Sequence, residues 1–291
     1  MDKIIRHGRF IFAIAILALG VENVVNTRLG LWQTIDYEGH LTLAVIPWVP
    51  AYAWLGYLMG LFLIAAALSF IANYHARTTA LALGSVFLIR MLFRVGSIFV
   101  ERTIPFEQIV IAGAAFTLAG TLTSDEHYLQ PWAGVIDVLT KSGRYLFAVA
   151  SIVFGIDHFV FFHFVASLIP FYIPWHEFWT ALTGAGFIAT GLAFIAAGFN
   201  PAFRWLAKLS GFMLGVMFGL WFVLLHAPRV LGVLPVPGKI APRDPNEWSS
   251  AFIALAICGG AWICAWAFAI EMPLRLRPVA GQIREPTVVN R

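Results

Sequence analysis

The chain has 291 residues, 60% of them hydrophobic and only 12% charged, with a mean hydropathy of +0.82 and a formal net charge of +4. This composition lies outside that of soluble globular domains and of disordered segments, and so modest a positive charge requires no nucleic-acid partner. What remains is an integral membrane protein in contact with the lipid bilayer along most of its length.

Crossing a hydrocarbon layer of about 30 Å takes about 20 apolar residues in a helix, because every backbone N–H and C=O must be paired within the segment. Eight runs meet this requirement, at 8–26, 51–72, 78–100, 106–123, 143–162, 176–197, 205–226 and 248–271. The predicted fold class is all-α integral membrane, with eight transmembrane helices as two tandem parallel four-helix bundles. The first run follows Lys3, Arg6 and Arg9, as the apolar part of a signal peptide would. An internal copy argues that it is retained: GRFIFAIAILALGVENVV at 8–25 returns as GRYLFAVASIVFGIDHFV at 143–160, with Glu22 and Asn23 matching Asp157 and His158.

The long loop at 27–50 holds Trp32 and Trp48, and its segment LTLAVIPWVP is expected to dip into the interface. Pro47, Pro50, Trp54 and Gly60 then correspond to Pro170, Pro174, Phe178 and Gly184. Arg77 and Gly84 correspond to Arg204 and Gly211, Arg102 to Arg229, and 107–120 to 247–260. An even number of spans per unit makes this a parallel duplication, unlike the inverted repeats of many transporters. The domains are read as an N-terminal repeat at 1–123, a cytoplasmic linker at 124–142, a C-terminal repeat at 143–271 and a cytoplasmic tail at 272–291. Twelve Lys and Arg residues fall on the side of the termini against five on the other, which places both termini in the cytoplasm.

Small residues at helical spacing, Gly184, Ala185, Ala189 and Ala193 in the sixth span and Gly259, Gly260 and Ala261 in the eighth, mark faces where helix backbones approach closely. Trp32, Trp48, Trp54, Trp175, Trp179 and Trp248 fall near one boundary and read as an interfacial belt, with a partner surface or the mouth of a quinone cleft as the alternative for Trp175 and Trp179. Cys258 and Cys264 are six residues apart on one helix, too far along it for a disulfide, and are expected to be packing residues. The chain has no phosphate-binding loop and no nucleophile elbow.

Ionisable groups inside spans are costly unless paired, which makes them the candidate sites. In the first half, Glu22 and Arg94 occur at similar depth and are predicted to form a structural ion pair. In the second half, Asp157, His158, His163, His176, Glu177, His226, Arg229 and Glu247 map to the outer third of their helices or to adjoining loops. A structural network would join Asp157 to Arg229. A ligand site for a quinone or small acid would use Asp157, His158, His176, His226, Arg229 and Glu247. In it His158 or His226 donates to a carbonyl oxygen, Arg229 supplies fixed charge, and Asp157 orients an imidazole for proton transfer. Metal or haem on the histidines has no HxxxH or CxxC pattern behind it, so no metal is assigned and haem is disfavoured. No catalytic residue follows from the pattern.

GRYLFAVASIVFGIDHF, IPFYIPWHEFWTALTGAGFIATG, LLHAPRV and NEWSSAFIALAICGGA resemble the DoxX-like family of small four-helix bacterial membrane proteins. The first half resembles a diverged copy, with Glu22 in place of Asp, Asn23 in place of His, and the HxPR element reduced to Glu101-Arg102. The resemblance implies a bacterial inner-membrane protein with other membrane protein subunits as partners. Since members of that family include a subunit resembling the archaeal thiosulfate:quinone oxidoreductase, it also implies a redox or respiratory complex, with quinone as the one cofactor it brings in. The alternative is a cofactor-free structural or assembly subunit, and the resemblance does not establish an enzyme.

Overall fold

The computed structural model describes residues 1–28, 33–35, 41–43, 53–92, 103–122, 127–234 and 245–272. In chain order the helices are α1 (Asp2–Ile5), α2 (Gly8–Arg28), α3 (Ala53–Ala72), α4 (Ala76–Leu92), α5 (Thr103–Thr121), α6 (Ala133–Val160), α7 (Phe162–Leu168), α8 (His176–Phe199), α9 (Arg204–Trp221), α10 (Ala227–Val230) and α11 (Pro245–Glu271). Between α2 and α3, β1 (Gln33–Ile35) and β2 (Leu41–Leu43) pair antiparallel. β2 covers the start of the segment expected to dip into the interface, whose remainder lies outside the described residues.

Seven described helical segments are long and apolar enough to cross a membrane, which makes this a multi-pass all-α protein. The predicted third span, at 78–100, corresponds to α4, and its residues 93–100 lie outside those described. α6 begins at Ala133, inside the stretch predicted as a linker, after a 3-10 turn at His127–Trp132. Pro131 sits in that turn, where a missing N–H is tolerated. The α3–α4 connection is tight, with Asn73 and His75 at φ 55° and 47°. Arg9 donates to Asn73 Oδ1 (2.6 Å) and ties this turn to α2.

Glycine pairs hold the helices together, and two of the pairs fall at positions matched in the sequence repeat. Gly20 approaches Gly60 between α2 and α3, and Gly155 approaches Gly184 between α6 and α8, at the positions the sequence repeat makes equivalent. Gly8 meets Gly259, and Gly143 meets Gly113. Since Gly8 corresponds to Gly143, the structural counterpart of Gly113 is Gly259, not the Ile253 obtained by matching 107–120 to 247–260. Apolar periodicity in a lipid-facing chain does not fix register. Backbone contact does, because only glycine admits it.

The helices close a ring in the order α2, α3, α4, α5, α6, α8, α9, α11 and back to α2, with α5 also packed across the middle on α11. The first helix of each repeat therefore rests on the fourth helix of the other: α2 on α11, and α6 on α5. The core is thus shared between the repeats and not partitioned into two separate bundles. Accordingly 72% of the spanning window is buried in both α5 and α11, against 22–44% in the other five segments. Phe12, Phe70, Phe116, Phe147, Phe194 and Phe268 are the large rings at the centre. Cys258 and Cys264 are buried free thiols in this packing, with Cys264 Sγ 3.8 Å from Thr117 Oγ1.

Polar groups fasten the end of the bundle that carries the N-terminus. Arg144 on α6 donates to both carboxylate oxygens of Glu271 (3.0 and 2.9 Å), and Arg204 on α9 donates to the Glu271 carbonyl (2.7 Å). Lys208, only 1% exposed, lies 2.5 Å from the Asp2 carboxylate.

Candidate functional site

The predicted site residues lie at the opposite end, where α6 gives way to α7, α8 begins, α9 passes into α10 and α11 starts. The local geometry begins with Pro228. It has no N–H and its ring clashes with the carbonyl four residues back, so an α-helix cannot continue normally past Leu224. The chain widens into a π-helical turn at Phe222–His226, in which Ala227 N–H reaches the Phe222 carbonyl. The Leu224 carbonyl is taken up by the hydroxyl of Tyr172 from the α7–α8 loop. Such single π turns re-aim side chains and recur at functional sites. Here the turn carries His226, and α10 presents Arg229 one turn further on.

Arg229 is 5% exposed, and its Nη2 donates to the Leu168 carbonyl (2.5 Å), satisfying an end carbonyl of α7. It lies in electrostatic range of Glu247, in the first turn of α11, and of His226. His226, Arg229 and Glu247 are thus brought together. Asp157 is buried on α6, and its neighbour His158 donates from Nδ1 to the Phe154 carbonyl (2.7 Å). The His158 ring lies 5.3 Å from that of Phe187, which in turn meets Phe218 at 5.2 Å and Phe154 at 5.8 Å, forming an aromatic floor under the imidazole. His176, at the start of α8, contacts the Pro170 carbonyl through Nε2 (3.2 Å). His163 and Glu177 are exposed, as are the aromatic rims Trp175 and Trp248. Trp32 and Trp48 lie outside the described residues.

At this end Trp179 Nε1, His226 Nδ1 and Arg229 Nε are buried with no hydrogen-bond partner among the described residues. Buried polar atoms are nearly always paired, and leaving one unpaired costs about 1–3 kcal/mol. Each is able to hydrogen-bond an oxygen-bearing ligand. The sequence reads Trp179 as part of a belt, with a partner surface or the mouth of a quinone cleft as the alternative, and it does not single out Tyr172. The signal that could have found Tyr172 is Pro228, which leaves the Leu224 carbonyl without its usual helical partner. Among the described residues, no group of three or more His, Cys, Asp or Glu side chains is placed to hold a metal ion.

In the first repeat, Glu22 is 9% exposed, and Arg94 lies outside the described residues. Glu22 Oε1 accepts from Ser249 Oγ on α11 and, at 3.4 Å, from Asn26 Nδ2. Ser249, which the sequence did not flag, thereby links the carboxylate of one repeat to the last helix of the other. A typical intramolecular hydrogen bond contributes about 0.5–1.5 kcal/mol. Ser249→Ala should therefore lower the melting temperature of the detergent-extracted protein, and an unchanged melting curve would show that this link contributes nothing.

Comparison of the chain with protein-family models, with curated proteins and with solved structures returned no match.

Proposed function

We propose that the protein is a duplicated DoxX-like membrane subunit of a bacterial redox or respiratory assembly that binds a quinone in the C-terminal repeat. The observation that carries this reading is that unpaired buried atoms of Trp179, His226 and Arg229 occur at the same end of the bundle as the aromatic rings around His158. A quinone offers two carbonyl oxygens as acceptors and a flat apolar ring, so it suits both features. In this reading Arg229 supplies fixed positive charge held by Glu247, His226 donates to one oxygen, and Asp157 with His158 moves protons on the outer side. The excess of Lys and Arg near the termini supports a cytoplasmic location for both in the inner membrane.

The scaffold reading is favoured by His158 and His176, whose ring nitrogens already contact carbonyls of their own segment. The two separate experimentally. Lipid extraction of the purified protein should yield bound quinone, and its visible spectrum should lack haem absorbance. His226→Ala should lower quinone-linked turnover of the host complex by about 10–100-fold, the effect of removing a positioned proton-transfer group, while leaving assembly intact. Loss of assembly with normal turnover per assembled complex would assign His226 to the scaffold.

A further inference from the structure

Away from that site, a cavity of about 150 Å3 opens at the end of the bundle that carries the first residues of the chain. One wall is Asp2, Lys3 and Arg6; the other is Trp266, Ala269 and Ile270 from the last turns of α11. α1 is fixed in place by Ile5, which is buried against Ala265, Ala269 and Met272.

Among the described residues the charges around this cavity do not balance. Asp2 is committed to the buried ammonium of Lys208, and Glu271, at the end of α11, is held by Arg144 and Arg204. Among the described residues Lys3 and Arg6 have no carboxylate at ion-pair distance. Apolar surface continues outward from the same place, since Ile4 on α1 and Ile270 in the cavity wall are both exposed. An ion free in water would match the two cations but not that surface. An amphiphilic anion matches both, because its charged group can enter beside Lys3 and Arg6 while its chains run along the apolar flank of the spanning helices. The ends of those helices place the cavity at headgroup depth.

We propose that this cavity binds the phosphate headgroup of an anionic phospholipid, with Lys3 and Arg6 as its cationic contacts and Trp266 as its wall. Each basic residue close to an anionic lipid strengthens the attraction severalfold, so losing both cations should weaken binding on the order of tenfold.

The full-length protein in mild detergent, examined by native mass spectrometry with added phosphatidylglycerol or phosphatidylcholine, tests this. Phosphatidylglycerol should be retained in preference, and the Lys3→Gln/Arg6→Gln double variant should lose that preference. Lys141→Gln, which removes an exposed cation paired with Asp137, should keep it. Equal retention of the two lipids, or undiminished preference in the double variant, overturns the proposal. Displacement of phosphatidylglycerol by millimolar inorganic phosphate also overturns it and assigns the cavity to a free anion. If the double variant does not fold, Lys3→Gln alone carries the same comparison, because its side chain is exposed.

Discussion

Gly113→Val should prevent recovery of folded protein from detergent extracts, and Gly259→Val should do the same. A Cβ at Gly113 would stand 2.6 Å from both the Gly143 carbonyl oxygen and the Phe147 amide nitrogen, and one at Gly259 would strike the backbone of Gly8 and Phe12. Overpacking against movable side chains costs about 1–3 kcal/mol. These neighbours are backbone atoms of a second helix, so the whole helix must move, and the loss should exceed that range. The two positions matter more than other glycines because they join α5 to α6 and α11 to α2, the contacts through which each repeat is completed by the other. Gly186→Ala is the control: its Cβ meets only the Met217 sulfur, at 4.0 Å, and the change should be neutral or slightly stabilising. Size-exclusion profiles and thermal melting of the three variants decide the matter. A Gly113→Val protein that melts like the parent would refute the close approach of α5 and α6.

Asp2→Ala should destabilise the protein far more than Lys208→Met. Removing one partner of a buried ion pair leaves an uncompensated charge and costs about 3–5 kcal/mol, whereas an apolar replacement of similar shape is often neutral. The pair is lopsided, with the Lys208 side chain 1% exposed and that of Asp2 50% exposed. Asp2→Ala strands the buried ammonium, although water reaching the Asp2 side reduces the expected loss to about 2 kcal/mol. Lys208→Met leaves a half-exposed carboxylate that water can solvate, so its effect should stay below about 1 kcal/mol. Thermal unfolding of both variants in the same detergent measures the difference. Equal losses would mean that Asp2 and Lys208 contribute independently.

Much of the fold was legible because the solvent enforces it. In hydrocarbon the backbone has to pair within each segment, and α2, α3, α5, α6, α8, α9 and α11 follow the predicted runs closely. Two helix seams were legible because Gly20 and Gly60 recur in the sequence repeat as Gly155 and Gly184, and a glycine at a helix seam is spelled out in the chain. The ends of helices were harder. α6 extends back to Ala133 because a short polar stretch with exposed faces can be helical when its apolar continuation is anchored. The candidate site was half legible. Burial of Asp157 followed from its place in an apolar run, but Arg229 lies beyond the run at 205–226, and the pairing of Glu22 with Ser249 joins residues 227 positions apart, so no periodicity contains either.

The sequence by itself determined that the chain is a helical protein with several segments able to cross a membrane, that it carries an internal sequence repeat, and which ionisable side chains lie within its apolar runs. Those are properties of single segments, set by hydropathy and by the chemistry of each side chain. Only the tertiary structure decided that each repeat borrows the fourth helix of the other, that Arg229 reaches the end of α7 while facing Glu247, and that Lys208 is neutralised by Asp2. Lipid solvates the outside of every helix almost equally well, so hydropathy does not distinguish one neighbour from another. The choice rests on close contact between backbones at a few glycines and on a few buried charges, and both exist only once the helices have met.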